Sequence, residues 1–309
     1  MAELSSAAIR SLGPTIFVAS AMHTKYVVIT PVRDEEVYLR CTIESILAQT
    51  ILPQEFIVVN DGSKDKTPDI IDEYSNQYPW IRGVHRHDRG FRKTGGGIIE
   101  AFYAGFDILQ CNDWEYMAKL DGDLSFDKYY FEKCFDHFRV DSRLGIGGGT
   151  LYYFQNGRRV LEQCPQFHVR GGLKIYRRAC WDVLGGLWVG PSTDTVDEVK
   201  AQMLGWNTRS FPELLVRHHR PTGTAYGTWG AMVKNGCGDY ICGYHPLFEI
   251  AKCLYRLPRK PYVIGSLGHL YGFVRGYVKQ VPRVEDRAMV RYLREQQLRR
   301  LRGQETIWR

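Results

Sequence analysis

No run of 18 or more uninterrupted apolar residues occurs in the 309-residue chain, which removes the hydropathy signal of a membrane-spanning helix. The eight cysteines include no C-x-x-C pair, and most stand inside apolar stretches, where a reduced thiol packs as a small hydrophobe. A disulfide framework is therefore not indicated, and a reducing, cytoplasmic setting is. Internal repeats and low-complexity tracts are also missing. What the chain does have is 44% hydrophobic and 13% aromatic residues, enough for a packed core. Its net charge of +7 is unevenly spread. Arg256 to Arg309 hold 13 basic and 4 acidic residues, and the preceding residues sum to −2. A basic tail is indicated, and a polyanion-binding core is not. Residues 1–24 read as a loose leader, because Gly13-Pro14 breaks into the short apolar run that ends at Met22.

From Tyr26 the pattern alternates between strands and helices. Tyr26 to Thr30 and Phe56 to Asn60 are continuous β-branched runs, as expected of strands buried on both faces. Pro31 is expected to end the first, and Asp34 to cap a helix carrying Leu39, Ile43, Ile46 and Leu47 at helical spacing. Thr67-Pro68 opens a second helix. A weaker strand is expected over 83–87, a helix after Gly95-Gly96-Gly97, a strand over Tyr116 to Leu120, a helix over 126–138 and a strand over 146–154. Such a βαβ series predicts an α/β fold with a mostly parallel sheet flanked by helices. Beyond residue 155 the spacing predicts a strand near 171–176, short helices over 178–184 and 195–204, and two strands at 209–211 and 215–218. Function in parallel sheets gathers beyond the carboxyl ends of the strands.

That rule selects the chemistry-bearing residues. Asp121-Gly122-Asp123 follows an apolar strand directly, and two carboxylates one residue apart can turn toward one hard cation, Mg2+ or Mn2+. Asp61 stands at the end of the second strand. There it either makes an ordinary Asp-Gly turn or accepts hydrogen bonds from a base or ribose. Arg92 to Gly97 lacks the G-K-[ST] of a Walker loop, but its glycines allow close backbone approach, and Lys93 suits the diphosphate side of a nucleotide. Asp194, Asp197 and Glu198 open a helix, where carboxylates also simply favour the helix dipole. Trp181 and Trp188 read as core aromatics in preference to a sugar platform.

Thr-Pro-Val-Arg-Asp-Glu-Glu after the first strand, Val-Val-Asn-Asp-Gly-Ser after the second and Leu-Asp-Gly-Asp after the fourth together resemble a family 2 glycosyltransferase of the GT-A fold, over about Lys25 to Pro221. The resemblance implies a nucleotide-sugar donor, a divalent metal, a hydroxyl acceptor and inversion at the anomeric carbon. By position it places Pro31, Arg33 and Glu35 against the nucleobase, Asp61 on base or ribose, Asp121 on ribose or metal, and Asp123 on the metal. The first loop carries Arg33-Asp34 where the family usually has an aromatic and an amide, although a guanidinium can also stack on a base. A catalytic base is implied at Asp194, eleven residues before Gly205, or at Asp197, which with Glu198 looks more like the family's acidic pair. In some GT-A enzymes a late histidine completes the metal shell. His218 is the candidate here, its alternative being a strand-end histidine with ordinary hydrogen bonds.

The domains implied are a transferase domain over 25–221, with a nucleotide-sugar half (25–154) and an acceptor half (155–221), and a basic helical extension over 222–309. Apolar helical segments flanked by arginines suit a membrane interface, and equally a helical layer packed on the core. No recognised reader motif accompanies the arginines, so nucleic acid is not an expected partner. The function expected is an inverting, metal-dependent glycosyltransferase of cell-envelope, polysaccharide or glycolipid synthesis, cytoplasmic or peripheral on the inner face of the membrane, with a sugar or lipid-linked acceptor. The competing readings are a nucleotidyltransferase acting on sugar phosphates and a non-catalytic nucleotide-sugar-binding protein.

Overall fold

The computed structural model describes residues 24–91, 96–162, 164–220 and 227–308. The expected leader, Thr24 apart, and Lys93 lie outside the described residues.

Three parallel strand pairings build the first half of the sheet. β1 (Tyr26–Val32) pairs with β2 (Glu55–Asn60) on one side and β4 (Tyr116–Leu120) on the other, and β3 (Ile81–His85) lies outside β2. Helices α1 (Leu39–Leu47), α2 (Thr67–Gln77) and α3 (Gly96–Phe106) connect them. Alternate side chains of β1 enter two cores. Tyr26 and Val28 join Phe56, Ile43, Phe131 and Phe135 on one face, while Val27 and Ile29 join Ile57, Phe102, Tyr176 and Trp181 on the other. Each such side chain contributes roughly 1.5–3 kcal/mol by leaving water. Trp181 is thus a core aromatic, and Trp188 packs at the edge of a third cluster.

The sheet continues through β8 (Leu173–Arg177), β6 (Leu144–Gln155), β9 (Asn207–His218) and the two-residue β5 (Leu124–Ser125), with β7 (Arg158–Leu161) paired to β6. Here the pairing is mixed. β8 runs antiparallel to both β4 and β6, and β6 runs parallel to β9. α4 (Tyr130–Val140) precedes β6, and α5 (Arg178–Leu184) and α6 (Thr193–Met203) lie between β8 and β9. A helical layer follows: α7 (Gly227–Cys242), α8 (Pro246–Arg256), α9 (Tyr262–Val278) and α10 (Arg287–Leu301).

Several expectations differ in detail. Pro31 does not end β1. The carbonyls of Tyr26 and Val32 accept bonds on the β2 side, so position 31 faces β4, whose pairing stops at Ile29, and no donor is needed there. Asp34 does not cap α1. It adopts a left-handed φ of 56° and bonds to the loop after β2 instead. Residues 124–125 are taken up by β5, so the helix expected from 126 starts at Tyr130. The two late strands are one, bent by a register irregularity near Gly149.

Candidate active site

The carboxyl ends of β1, β2 and β4 open on one side of the sheet, as their parallel pairing requires. The loops after β1 and β2 clasp each other. Asp34 N–H donates to Ser63 Oγ (2.9 Å), and Lys64 N–H donates to Asp34 Oδ1 (2.9 Å). Glu36 N–H donates to Asp65 Oδ2 (3.0 Å), and Lys66 N–H donates to Glu36 Oε2 (3.0 Å). Arg33 bridges them further, donating to the Asp61 carbonyl (3.0 Å) and to Asp88 Oδ1 (2.8 Å). The Asp61 carboxylate is held by two guanidiniums, Arg86 at 2.6 Å and Arg89. Pro31 is buried within the sheet.

Around the end of β4 the charges are concentrated. The Asp123 carboxylate lies 3.5 Å from His218 Nε2 and 3.4 Å from Arg220 Nη2, and Arg220 also binds Glu35. Burial first, then Asp123, lifts the Glu35 carboxyl to about 7 against the pull of Arg220. Burial lowers His218, but its bonds to Asp123 and to Glu162 Oε1 (2.8 Å) outweigh it and raise the ring to about 10. In this charged form His218 is a counter-ion of Asp123, and only its neutral ring would have a lone pair for a metal. Asp121 differs. Its Oδ1 is buried with no hydrogen-bond partner, and Lys119 Nζ stands 3.7 Å away. Burial raises its carboxyl, and the Asp123 charge adds to that while Lys119 opposes it.

Asp121 and Asp194 line one cavity of about 220 Å3, with Lys119, Gly172, Lys234 and Asn235. Gly171 and Gly172 admit both carboxylates, since a Cβ at either would overlap Asp194 or Asp121 respectively. Burial pushes Asp194 up, and Lys174 and Lys119 more than offset it, so the carboxyl is held below its ordinary range. Asp197 does not reach the cavity. Its oxygens accept from Lys174 Nζ (2.7 Å) and Tyr176 OH (2.6 Å), and the side chain is 1% exposed. Glu198 is equally enclosed, between Lys174 (3.0 Å), His168 (2.7 Å) and the Val169 N–H (2.7 Å).

By donor chemistry Asp121 and Asp123 suit a hard divalent cation, and the orphaned Oδ1 of Asp121 supplies an unsatisfied anionic atom for one. With His218 they do not present three donor atoms within 4.8 Å of one another: Asp123 lies against His218 and Arg220, while Asp121 lines the cavity beside Asp194.

Residues 27–178 match the profile of glycosyl transferase family 2. The chain carries a family 2 glycosyltransferase domain. The glycosyltransferase GlyA of Streptococcus pneumoniae serotype 4 is 32% identical over 150 residues, 48% of this chain and 19% of that one. The minor teichoic acid biosynthesis protein GgaA of Bacillus subtilis is 26% identical over 49% of this chain and 36% of its own length. The match thus spans well under half of these curated relatives. Among solved structures, the mannosyltransferase PcManGT of Pyrobaculum calidifontis, in complex with GDP-Man and Mn2+, aligns at a TM-score of 0.53, with 15% identity, over 82% of this chain and 73% of that one. S. aureus TarS 1-349, in complex with UDP-GlcNAc, aligns at 0.52, with 18% identity, over 91% and 92%. The likeness to both is one of fold, and it places the glycosyltransferase domain in the GT-A architecture.

Four residues near the candidate site escaped the sequence reading: Arg86, Arg89, Lys119 and Arg220. A signal existed for Lys119, a lone lysine in an otherwise apolar strand, and Lys174 in β8, between Leu173 and Ile175, carries a similar one. None marked Arg220, whose partners are distant in sequence.

Proposed function

We propose that this chain is an inverting, metal-dependent glycosyltransferase that moves a sugar from a nucleotide-sugar donor to a hydroxyl acceptor. The observation that carries the reading is the single cavity in which Asp194, held ionised by Lys174 and Lys119, faces Asp121. Asp194 takes the proton of the acceptor hydroxyl as the new bond forms, an effect worth typically ~10²–10⁴-fold. Asp121 and Asp123 would hold a divalent cation, which when bound neutralises charge on the leaving nucleoside diphosphate. Asp61, Arg33 and Glu35 orient the nucleoside, with Pro31 setting the strand from which that loop departs. Lys93 serves the diphosphate. With one base and no carboxylate nucleophile, displacement in one step inverts the anomeric carbon. Similarity in fold to proteins holding GDP-Man with Mn2+ and UDP-GlcNAc supports the donor class, and the likeness to a teichoic acid biosynthesis protein supports a place in cell-envelope or polysaccharide synthesis. The acceptor is a sugar or lipid-linked sugar, met at the cytoplasmic face of a membrane.

Thermal-shift screening of nucleoside diphosphates with Mn2+ tests this reading. One nucleotide should stabilise the protein, and chelator should abolish the shift. The matching nucleotide-sugar should then release a nucleoside diphosphate. Pyrophosphate as product would overturn the proposal in favour of nucleotidyl transfer. Binding without turnover, with Asp123→Ala altering affinity alone, would leave a binding protein.

A further inference from the structure

Helix α9 is built the wrong way round for water. Its inward face is mostly small and polar: Gly265, Ser266, Gly268, His269, Gly272 and Gly276 are buried, and Phe273 is the one large apolar side chain buried with them. Its outward face holds Val263, Ile264, Leu267, Tyr271, Val274 and Val278, each 49–73% exposed. A helix folded against an aqueous surface places its large apolar side chains inward. The inward glycines let α9 lie directly on α7, since a Cβ at Gly236 would overlap the His269 carbonyl and one at Gly272 the Val233 carbonyl. Close packing through small residues, with bulky apolar groups turned outward, is the arrangement of helices in lipid. α8 repeats the pattern. Leu247, Ile250, Leu254 and Tyr255 are 48–64% exposed, and α8 is tied to α9 by Ser266 Oγ donating to the Cys253 carbonyl (2.9 Å).

The polar content of these helices is turned inward and balanced. Asp239 of α7, Glu249 and Lys252 of α8 and His269 of α9 form one buried set, with His269 Nε2 at 2.6 Å from Asp239 and 3.0 Å from Glu249. Its three acidic and histidine donors lie within 4.8 Å of one another, but the Lys252 ammonium bound to Asp239 supplies the cation, so the set is a lock between helices. Basic side chains border the apolar face: Arg259 and Lys260 between α8 and α9, and Arg275 and Lys279 at the end of α9, all exposed. Arg283 carries the charge onward. Its guanidinium lies over Tyr277 of α9, and it lines a wide groove along α10 with Arg287, Arg291, Arg294 and Arg302. Trp229 and Tyr271, half exposed with rings 6.1 Å apart, supply the amphipathic aromatics that favour a headgroup boundary.

Among the described residues no helix is long and apolar enough to cross a membrane. We infer that the outward faces of α8 and α9 dock on an anionic bilayer, with their apolar side chains at the acyl boundary and the bordering arginines and lysines among the headgroups. This deepens the peripheral-membrane part of the function proposed above and rests on it for the consequence that follows. α7 contributes Lys234 and Asn235 to the catalytic cavity and seats α9 through Val233 and Gly236, so docking brings that cavity within about 20 Å, two helix diameters, of the lipid surface.

Flotation of the full chain with vesicles tests the inference. The protein should float with vesicles containing phosphatidylglycerol, more weakly with pure phosphatidylcholine, and less in high salt. Ile264→Ser/Leu267→Ser/Val274→Ser should weaken the partition at least ~10-fold. Val140→Ser, exposed on α4, should not change it. These outward positions should keep the melting temperature and the nucleotide-induced thermal shift. The shift reports the donor site independently, so either reading can fail alone. Wild-type protein that stays with the unbound fraction, or a serine variant that floats equally well, would overturn the inference. So would a dimer in light scattering that the serine variant dissociates, which would assign the face to a second copy of the chain.

Discussion

Lys174→Met removes the ammonium that Asp197 and Glu198 share beneath the start of α6 while keeping a side chain of similar length. In the native protein Lys174 is 1% exposed on its side chain, and its ammonium sits 2.7 Å from Asp197, 3.0 Å from Glu198 and 2.8 Å from the Asp194 carbonyl. Removing one partner of a buried charge set costs about 3–5 kcal/mol, because the remaining charge is left uncompensated. For a chain of this size that corresponds to a melting-temperature loss of roughly 5–15 °C. The loss should depend on pH. Burial opposes the charge of Lys174, but Asp197 and Glu198 outweigh it and hold the ammonium above its ordinary range. Its contribution is therefore full below its unfolded pKa, near ~10.4, and is constant over the neutral range. Burial lifts the Asp197 carboxyl to about 6 even against Lys174. Losing Lys174 takes it higher. An acid raised in this way adds stability below its unfolded pKa, near ~3.9, and loses it as pH rises through the folded value. The variant should therefore melt far below wild type at about pH 7.5 and approach it at about pH 5. Thermal melts followed by circular dichroism at the two pH values check this. Equal losses at both, or a deficit under about 1 kcal/mol, would refute the charge argument and reduce Lys174 to a packing residue.

Asp194→Asn should lower kcat by ~10²–10⁴-fold with the melting temperature kept, whereas Asp197→Asn should lower the melting temperature, and kinetics beside melts separate the two. Gly172→Ala drives a Cβ into the Asp121 carboxylate, the movable end of a side chain, so stability should change little while the metal concentration for half-activation rises ~10-fold in a titration. Arg220→Gln removes the cation shared by Glu35 and Asp123, and the Mn2+ affinity measured by calorimetry should rise severalfold; an unchanged affinity would make Arg220 a loop anchor only.

The buried strands could be read because β1, β2 and β4 are predominantly apolar, and the acidic residues beyond their ends stood out against them. Direction could not be read. β8 is buried much like β4, yet runs antiparallel, and nothing in Leu173–Arg177 states which neighbour it joins. Local polarity misled at Asp34, where an acid before a helix looked like its cap, while the loop after β2 offered two partners from 29 and 30 residues away. The proposal of Asp194 over Asp197 as the base rests on lysines of β4 and β8, contacts that spacing within one helix does not contain. Within the helical extension expected over 222–309, α7 was not read as a helix of its own because glycines at 227, 230, 236 and 238 look like punctuation, whereas Gly236 serves to bring two helix backbones together.

That shared use of α7 has a consequence for any shortened form of the protein. The same helix closes one flank of the cavity with Lys234 and Asn235 and, from its far side, seats α9. Trimming the chain after β9 would leave a cup with one wall gone, that flank open to bulk water.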